Sequence, residues 1–451
     1  MQLMHRYTDE TDELARAIEA YARARIATPQ PLDRVVPADR LAATAGETVT
    51  AEGIGWREAL RLWADVLAPA TISTDHPTSL AFVPAAPTKA SVLFDLIVGA
   101  SSTIAAGWID GAGAIWAENQ TLAWLASLVG YPDGNGGVFV SGGSAGNLSA
   151  LVTARHVARD RAAEAPPRWR FAACETVHSS VAAAARVMDV DILTVPGDER
   201  GRLTGVNLRA ALHRDGAHGV FAVVASAGAT NAGTVDDLTG VADVADERRL
   251  WFHVDGAYGG AGLLAPSVRS LFDGVERSDS FIVDPHKWLF APYDACALLY
   301  RDPGLALGAH RQIASYLDTS QSAPDWNPAD YAYHLSRRAR GLPLWFSLAT
   351  YGTDAYRDAV ETVLSITRAT ADEVRANPLL QLVMEPDLSV ILFRRLGWGP
   401  DDYEAWWRRL LHAQIAFVQP TAWNGEKVAR LCFVNPQTQI EHVRAVLGTM
   451  V

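Results

Sequence analysis

The chain is poor in cysteine. Three residues, Cys174, Cys296 and Cys432, are scattered through 451 positions with no metal-ligand spacing between them. That excludes a disulfide framework and a cysteine-built metal site, and a reduced, cytoplasmic setting is the simplest expectation. Basic charge is not in excess either: 39 Lys+Arg stand against 51 Asp+Glu, a formal net charge of −12. Such a balance argues against nucleic acid or an anionic membrane surface as the main partner. Long apolar runs are also missing. The longest uncharged one, "LIVGASSTIAAGWI" at 96–109, is too short to span a bilayer. The first residues, "MQLMHRYTDETDELARAIEAYARARI", lack the apolar core of a signal peptide and read as an amphipathic helix whose stripe packs on this chain or on a partner subunit. There is no internal repeat and no low-complexity tract.

What is present is ordinary globular material, 49% hydrophobic and 20% charged, in a chain long enough for two or three domains. Residues 1–75 read as helices around a proline-rich linker. From 76 to 354 short apolar runs alternate with helical patterns. "GGVFVSGG" precedes a helix from Ala145, and "RFAAC" precedes an alanine-rich helix after His178. "GVFAVVASAG", "RLWFHVDGAYGG" and "SFIVDPHKW" are three further strands. This alternation predicts an α/β fold with a mostly parallel sheet covered by helices on both faces. From 355 to 451 the order is helix, "LSVILFRR", helix, "KVARLCFVNP", helix, the pattern of a smaller α+β domain.

Ligands of parallel sheets bind outside the carboxyl ends of the strands. Ser144, Thr230, Asp255 and Lys287 all follow apolar runs, so the topology predicts them on one edge. Lys287 lies in "SFIVDPHKWLFAPYD", between a buried-strand signal and an apolar segment. Apolar surroundings disfavour the ammonium form, and the neutral amine forms Schiff bases with carbonyl compounds. In "SGGSAGNLSAL", Gly142 and Gly143 let the backbone approach an anion at a helix N-terminus, although a tight turn capped by Ser144 gives the same pattern. Asp255 is a carboxylate at the end of an apolar strand. It either caps a turn or holds a cation or a protonated heterocyclic nitrogen. Ala257 leaves room for a flat group, and His178 is a cap, a core histidine or a stacking surface. A phosphate cradle, a carboxylate, a flat-ring surface and a Schiff-base lysine together describe pyridoxal phosphate.

The order of "HPTSLAFVP", "SGGSAGNLSAL", "VHSS", "SAGATNAGTVDD", "HVDGAYGG", "DPHKW", "SRRARGLPLWF" and "LCFVNPQT" resembles the group II pyridoxal-phosphate-dependent decarboxylases, and the resemblance covers nearly the whole chain. It implies the fold-type I architecture of pyridoxal-phosphate enzymes and a homodimer with active sites near the subunit interface. It implies that Lys287 carries the cofactor, Asp255 partners the pyridine nitrogen, His178 stacks over the ring, Ala257 packs beneath it and Thr230 lies near the ring substituents. Gly143 and Ser144 hold the phosphate with Asp284 nearby, and His286 touches the cofactor–substrate adduct. Tyr316, in "ASYLDTSQ", matches a loop tyrosine that reaches the adduct in the neighbouring subunit's site. No metal is implied.

The reaction implied is loss of carbon dioxide from a small L-amino acid to give an amine. Phe82, Pro84 and Trp108 are apolar candidates for the substrate wall, and no arginine or lysine in that stretch matches a side-chain carboxylate, Lys89 being the nearest. An aromatic substrate is therefore expected: tyrosine, dopa, phenylalanine or tryptophan. The alternatives are a decarboxylase of an acidic or diamino acid, an oxygen-using aldehyde synthase of the same fold, and a regulatory cofactor-binding protein. The last would lack the lysine or add a DNA-binding segment. Tyr316 separates amine from aldehyde, because a positioned acid contributes roughly 10²–10⁴-fold to a proton transfer. Tyr316→Phe is expected to lower amine formation and to raise aldehyde, ammonia and peroxide, with oxygen uptake as the readout. Amine made at the wild-type rate without oxygen consumption assigns the proton elsewhere, His178 first.

Overall fold

A computed structural model describes residues 3–312 and 326–451. Tyr316 lies outside the described residues. The N-terminal part is helical, with α1 (Asp9–Ala27), α2 (Ala38–Ala45) and α3 (Trp56–Leu62). Thr8 caps α1 by accepting the Thr11 N–H at 3.3 Å. No residue of α1 is buried. Its last turn is tied to the body by Arg25, whose Nη2 lies 2.7 Å from Asp75 Oδ1.

The large domain opens with α4 (Lys89–Ala100) and α5 (Trp108–Val129), then β1 (Gly136–Val140) and α6 (Gly143–Arg161). It continues through β2 (Arg170–Cys174), α7 (Ser179–Met188), β3 (Asp191–Val195), α8 (Gly205–Arg214), β4 (Val220–Ser226), α9 (Leu238–Arg248), β5 (Trp251–Asp255), β6 (Ser280–Val283), β7 (Cys296–Tyr300) and α10 (Pro303–His310). The seven strands form one sheet in the order β1-β7-β6-β5-β4-β2-β3. Strands β3, β2, β4, β5 and β6 pair in parallel, while β7 is antiparallel to both β6 and β1.

Each central strand feeds two cores, which is why it reads as a continuous apolar run rather than an alternation. On β2, Ala172 and Cys174 join the cluster shared with α5, α8 and α9, whereas Phe171 and Ala173 join the one shared with α6, α7 and α10. Phe252 and Val254 of β5 face the first cluster and Trp251 the second. His253 and Asp255 lie on Trp251's side by the two-residue period, towards α6 and α7.

The sequence places the helix after β1 at Ala145, whereas it starts at Gly143, so the two glycines stand at its very N-terminus. Strands β3 and β7 are additions to the sequence reading. "DILTV" has an exposed first residue and an exposed threonine, and "CALLY" is buried throughout and follows closely on the apolar segment after Lys287.

Helix α11 (Leu342–Ala376) is interrupted at Gly352, whose φ of 77° and ψ of 163° are not helical. It carries the chain from the large domain to an antiparallel sheet in the order β10-β11-β9-β8, made of β8 (Leu380–Leu382), β9 (Val390–Arg395), β10 (Thr421–Trp423) and β11 (Glu426–Cys432). Helices α12 (Pro400–His412) and α13 (Ile440–Leu447) complete it. The segment before α4 belongs structurally with this sheet: Leu80 N–H donates to Phe417 O at 2.8 Å, and Cys432 N–H donates to Leu80 O at 3.0 Å. Among the described residues no helix is long and apolar enough to cross a membrane.

Candidate active site

Strand register decides where the polar residues fall. Ser226 pairs with Asp255, and Asp255 with Ile282, so the carboxyl ends of β4, β5 and β6 finish level. A cleft of about 340 Å³ opens there, within the range of small-molecule sites. Gly143, Ser144, His178, Thr230, Asp255, Ala257, Asp284, His286 and Lys287 all line it. A larger cleft, of about 890 Å³, lies at the opposite end of the same strands beside Trp169, Trp251 and Arg301, and holds none of the residues singled out above.

Asp255 is 7% exposed. Its Oδ2 accepts from Asn147 Nδ2 at 2.8 Å and its Oδ1 from the Ala257 N–H at 3.0 Å. The Ala257 contact is the turn cap that the sequence allowed, and the Asn147 amide adds a second donor that holds the buried carboxylate in one orientation. Gly143 is required by packing: a Cβ there would meet the Ala257 Cβ and Asp284 Oδ2, each at 3.1 Å.

Lys287 is held in place by its neighbours. Trp288, Leu289 and Phe290 are at most 3% exposed, and Trp288 stacks on Tyr258 with ring centroids 5.5 Å apart. Three such buried side chains, each contributing about 1.5–3 kcal/mol, outweigh the cost of setting one lysine among them. The sign of its perturbation differs from the sequence expectation. Burial pulls the Lys287 ammonium down, but the Asp284 carboxylate with Oδ2 at 2.9 Å, its hydrogen bond and the more distant Asp255 together carry it above the ordinary lysine value. Lys287 is thus an ion-paired ammonium in this state. The same Asp284 Oδ2 also accepts the Gly143 N–H at 3.2 Å, while Oδ1 is buried and finds no hydrogen-bond partner among the described residues.

His286 sits above this pair, its Nε2 3.7 Å from Asp284 Oδ2, and burial lowers its pKa. Its ring lies 4.7 Å from that of Tyr293, which lines the cleft with Asp294. Asp294 is held by Arg340 at 3.2 Å. His178 caps α7, its Nδ1 accepting the Ser180 N–H at 3.2 Å, so the cap reading and a cleft-facing position both hold. The residues fit pyridoxal phosphate. There is a helix N-terminus with two glycines for a phosphate, a fixed carboxylate for a ring nitrogen, a lysine between them, and an alanine and a histidine for the ring faces.

The three residues named for the substrate wall do not line this cleft. Phe82 is 62% exposed, with a left-handed φ of 54°, and its ring meets Phe417 edge-on. Pro84 is buried beside it. Trp108 packs with Phe94, Trp326 and Trp345 on a separate cluster around Ile115. What connects Phe82 to the cleft is Arg430, which is 5% exposed. Its guanidinium donates to the carbonyls of Phe82 at 2.8 Å, Thr230 at 2.7 Å and Asn231 at 3.1 Å. Sequence reasoning passed over Arg430, Asn147, His253 and Tyr293. For His253 a signal existed, since it stands two residues before Asp255 and so shares its face.

Fold and site together define a fold-type I pyridoxal-phosphate enzyme. Residues 44–396, well over half of the chain, match the family described as the pyridoxal-dependent decarboxylase conserved domain. The chain belongs to that family and is a pyridoxal-phosphate-dependent amino-acid decarboxylase, a lyase. It is 29% identical over 432 residues to an aromatic-L-amino-acid decarboxylase of Bacillus atrophaeus, covering 93% of this chain and 89% of that one. It is 28% identical over 372 residues to an L-2,4-diaminobutyrate decarboxylase of Acinetobacter baumannii, covering 77% and 73%. A crystal structure of Oryza sativa TDC with PLP and tryptamine superposes with a TM-score of 0.90 at 25% identity, covering 100% of this chain and 99% of that one.

The Asp284–Lys287 pair generates a prediction. Asp284→Asn removes the charge that raises the lysine and leaves burial, which lowers it. In cofactor-free protein at pH 7 the Lys287 amine of the variant is expected to react faster with an amine-directed label, and the midpoint of the labelling–pH curve to move down. An unchanged or raised midpoint would show that Asp284 does not set the charge of Lys287.

Proposed function

We propose that this decarboxylase acts on aromatic L-amino acids and releases the corresponding amine. The observation that carries the reading is the lining of the cleft: among the described residues Lys287 is its only cation, and an aromatic ring and a carboxylate, Tyr293 and Asp294, stand at its wall. A substrate side-chain carboxylate finds no arginine or second lysine among the described residues of that lining. The Bacillus relative's activity supports the same reading.

In this proposal Gly143, Ser144 and the N–H groups that open α6 hold the cofactor phosphate. Asp255, fixed by Asn147 and Ala257, holds the proton on the pyridine nitrogen. His178 and Ala257 would confine the ring, Thr230 would border its substituents, and Lys287 would hold the cofactor through its amine. Pyridoxal phosphate supplies the electron sink that accepts the electron pair left when carbon dioxide departs. Asp284, 2.9 Å from the Lys287 ammonium and 3.7 Å from His286, would take the one proton that the lysine must lose before its amine can react. Phe82 borders the entrance through its carbonyl, which Arg430 holds at 2.8 Å, and Tyr316 delivers the proton to Cα. The domain limits follow the chain's own punctuation: 1–75 for the N-terminal helices, 76–354 for the cofactor domain, ending beside the break at Gly352, and 355–451 for the small domain.

One observation favours a second reading. Asp294 offers a carboxylate to a cationic side chain, as a 2,4-diamino acid has, and the Acinetobacter relative bears that name. Asp294 is already neutralised by Arg340, which weights the aromatic reading. Turnover of tyrosine, dopa, phenylalanine and tryptophan is compared with that of glutamate and 2,4-diaminobutyrate, by released carbon dioxide and amine. The best aromatic substrate is expected to exceed glutamate at least ~100-fold in kcat/KM, about 2.7 kcal/mol. A preference for 2,4-diaminobutyrate would install the second reading.

The enzyme is further proposed to be a cytoplasmic homodimer. Its cysteines are all free and buried, as in a reducing compartment. Helix α1 buries nothing, and Leu93, Leu96 and Ile97 on α4, with Ile109 and Trp116 on α5, are each more than half exposed. So much uncovered apolar surface marks an interface. Light scattering is expected to give twice the mass of 48.6 kDa, and Leu96→Glu with Ile97→Lys to give the single mass. A wild-type monomer would sink the dimer, and cell fractionation checks the compartment.

A further inference from the structure

Behind the cleft, the buried side chains of Trp251, Ser280, His253, Asn147, Asp255 and Ser180 are joined by hydrogen bonds that end at His178. Trp251 Nε1 lies 2.8 Å from Ser280 Oγ, and Ser280 Oγ 2.8 Å from His253 Nδ1. His253 Nε2 lies 2.8 Å from Asn147 Oδ1. Asn147 Nδ2 reaches Asp255 Oδ2 at 2.8 Å and Ser180 Oγ at 3.0 Å. Ser180 Oγ is 2.8 Å from His178 Nδ1.

With His253 neutral, each link admits one polarity. A carboxylate only accepts, so the Asn147 atom beside Asp255 is the amide nitrogen and its carbonyl turns to His253. His253 then carries its proton on Nε2. Its bare Nδ1 accepts the Ser280 O–H, and the Ser280 oxygen accepts the indole N–H of Trp251, a group that can only donate. At the other end the Ser180 backbone N–H, also an obligate donor, points at His178 Nδ1 from 3.2 Å. That nitrogen is therefore bare, the Ser180 hydroxyl donates to it, and any proton on the His178 ring sits on Nε2. Burial pushes His253 down to about 4 against the pull of Asp255, which keeps it neutral as the chain requires. Both Asn147 hydrogens are committed, one to the carboxylate and one to the route that ends at His178.

We propose that Asn147 is a positioning residue that sets Asp255 and His178 with a single carboxamide, itself oriented by the one-way chain Trp251–Ser280–His253. The inference rests on the decarboxylase reading for what Asp255 and His178 face, while the chain itself is a property of the protein without cofactor. Asn147 borders the cleft but is fully buried, and its amide nitrogen is committed to Asp255 and Ser180. Removing it leaves the Asp255 carboxylate and the Ser180 oxygen each one donor short, and it deprives His253 of its acceptor.

The test is histidine nitrogen NMR on the full chain with ¹⁵N-labelled histidine, before and after loading with pyridoxal phosphate. His253→Gln and His178→Gln assign the two signals. His253 is expected as the neutral Nε2–H form without titration between pH 6 and 8, and His178 with Nδ1 unprotonated. In Asn147→Leu the dissociation constant of pyridoxal phosphate, measured by equilibrium dialysis, is expected to rise ~10–100-fold, the range for a hydrogen bond to a charged group. His253 of that variant is expected to populate the Nδ1–H form. A wild-type His253 in the Nδ1–H form, or one that titrates in that window, overturns the chain even if the variant does not fold. A folded Asn147→Leu protein with wild-type affinity overturns the positioning role. A wild-type protein that binds no pyridoxal phosphate instead sinks the decarboxylase reading, and leaves the histidine forms as a test of the chain alone.

Discussion

The pairing of β5 with β6 is the constraint on which the site depends. It sets Asp255 level with Ile282, and two residues later the chain of β6 leaves the sheet at Asp284. The turn that follows brings Lys287 back onto Asp284 at 2.9 Å, and the apolar residues after it lock the turn in place. A slip of one residue in β5 would send Asp255 to the opposite face, among the side chains under α5, α8 and α9. The register is protected against this because every residue of both strands is buried, each face against its own core. The site's accuracy is thus a by-product of core packing on both sides of the sheet.

Two carboxylates and one lysine share a space from which water is largely excluded. Such a group is stable only if each charge is met by a fixed partner, since an isolated buried charge costs several kcal/mol. Here the carboxylates are met differently. Asp255 is satisfied by neutral donors, the Asn147 amide and the Ala257 N–H. Asp284 is satisfied by a cation, Lys287, that the chemistry must release. One is therefore a permanent anion, while the other depends on the state of the lysine. The neutral His253 behind Asp255 keeps that difference intact.

Much of this was legible in the sequence, and the boundary of legibility has a physical reason. A polar residue at the end of an apolar run announces a strand end, so Ser144, Thr230, Asp255 and Lys287 could be assigned to one edge from topology alone, and all four line the cleft. Aromatic residues carry no such direction. Phe82 and Trp108 read alike in the sequence, yet one is splayed outwards on a left-handed backbone and the other opens α5 and packs with Phe94, Trp326 and Trp345. The charge of Lys287 was read with the wrong sign because burial was weighed without the aspartate three residues earlier. Strand β7 was missed because an antiparallel insertion between β1 and β6 leaves no mark on its own sequence. The His253–Asn147 contact spans 106 positions, and no local pattern signals it.

Arg430 joins the small domain to the mouth of the cleft, and it does so entirely through main-chain oxygens. Those oxygens are present whatever side chains occupy positions 82, 230 and 231. The spacing of the entrance is therefore insulated from the identity of the residues that line it. Side chains at 82 and 230 can be exchanged, by drift or by design, without loosening that frame, whereas the Asn231 amide is part of the fastening, donating to Ala422 O at 3.0 Å and accepting from Thr421 Oγ1 at 2.6 Å. An architecture fastened in this way is free to diversify in what it admits while keeping its dimensions, and the latitude resides in the fastening rather than in the wall.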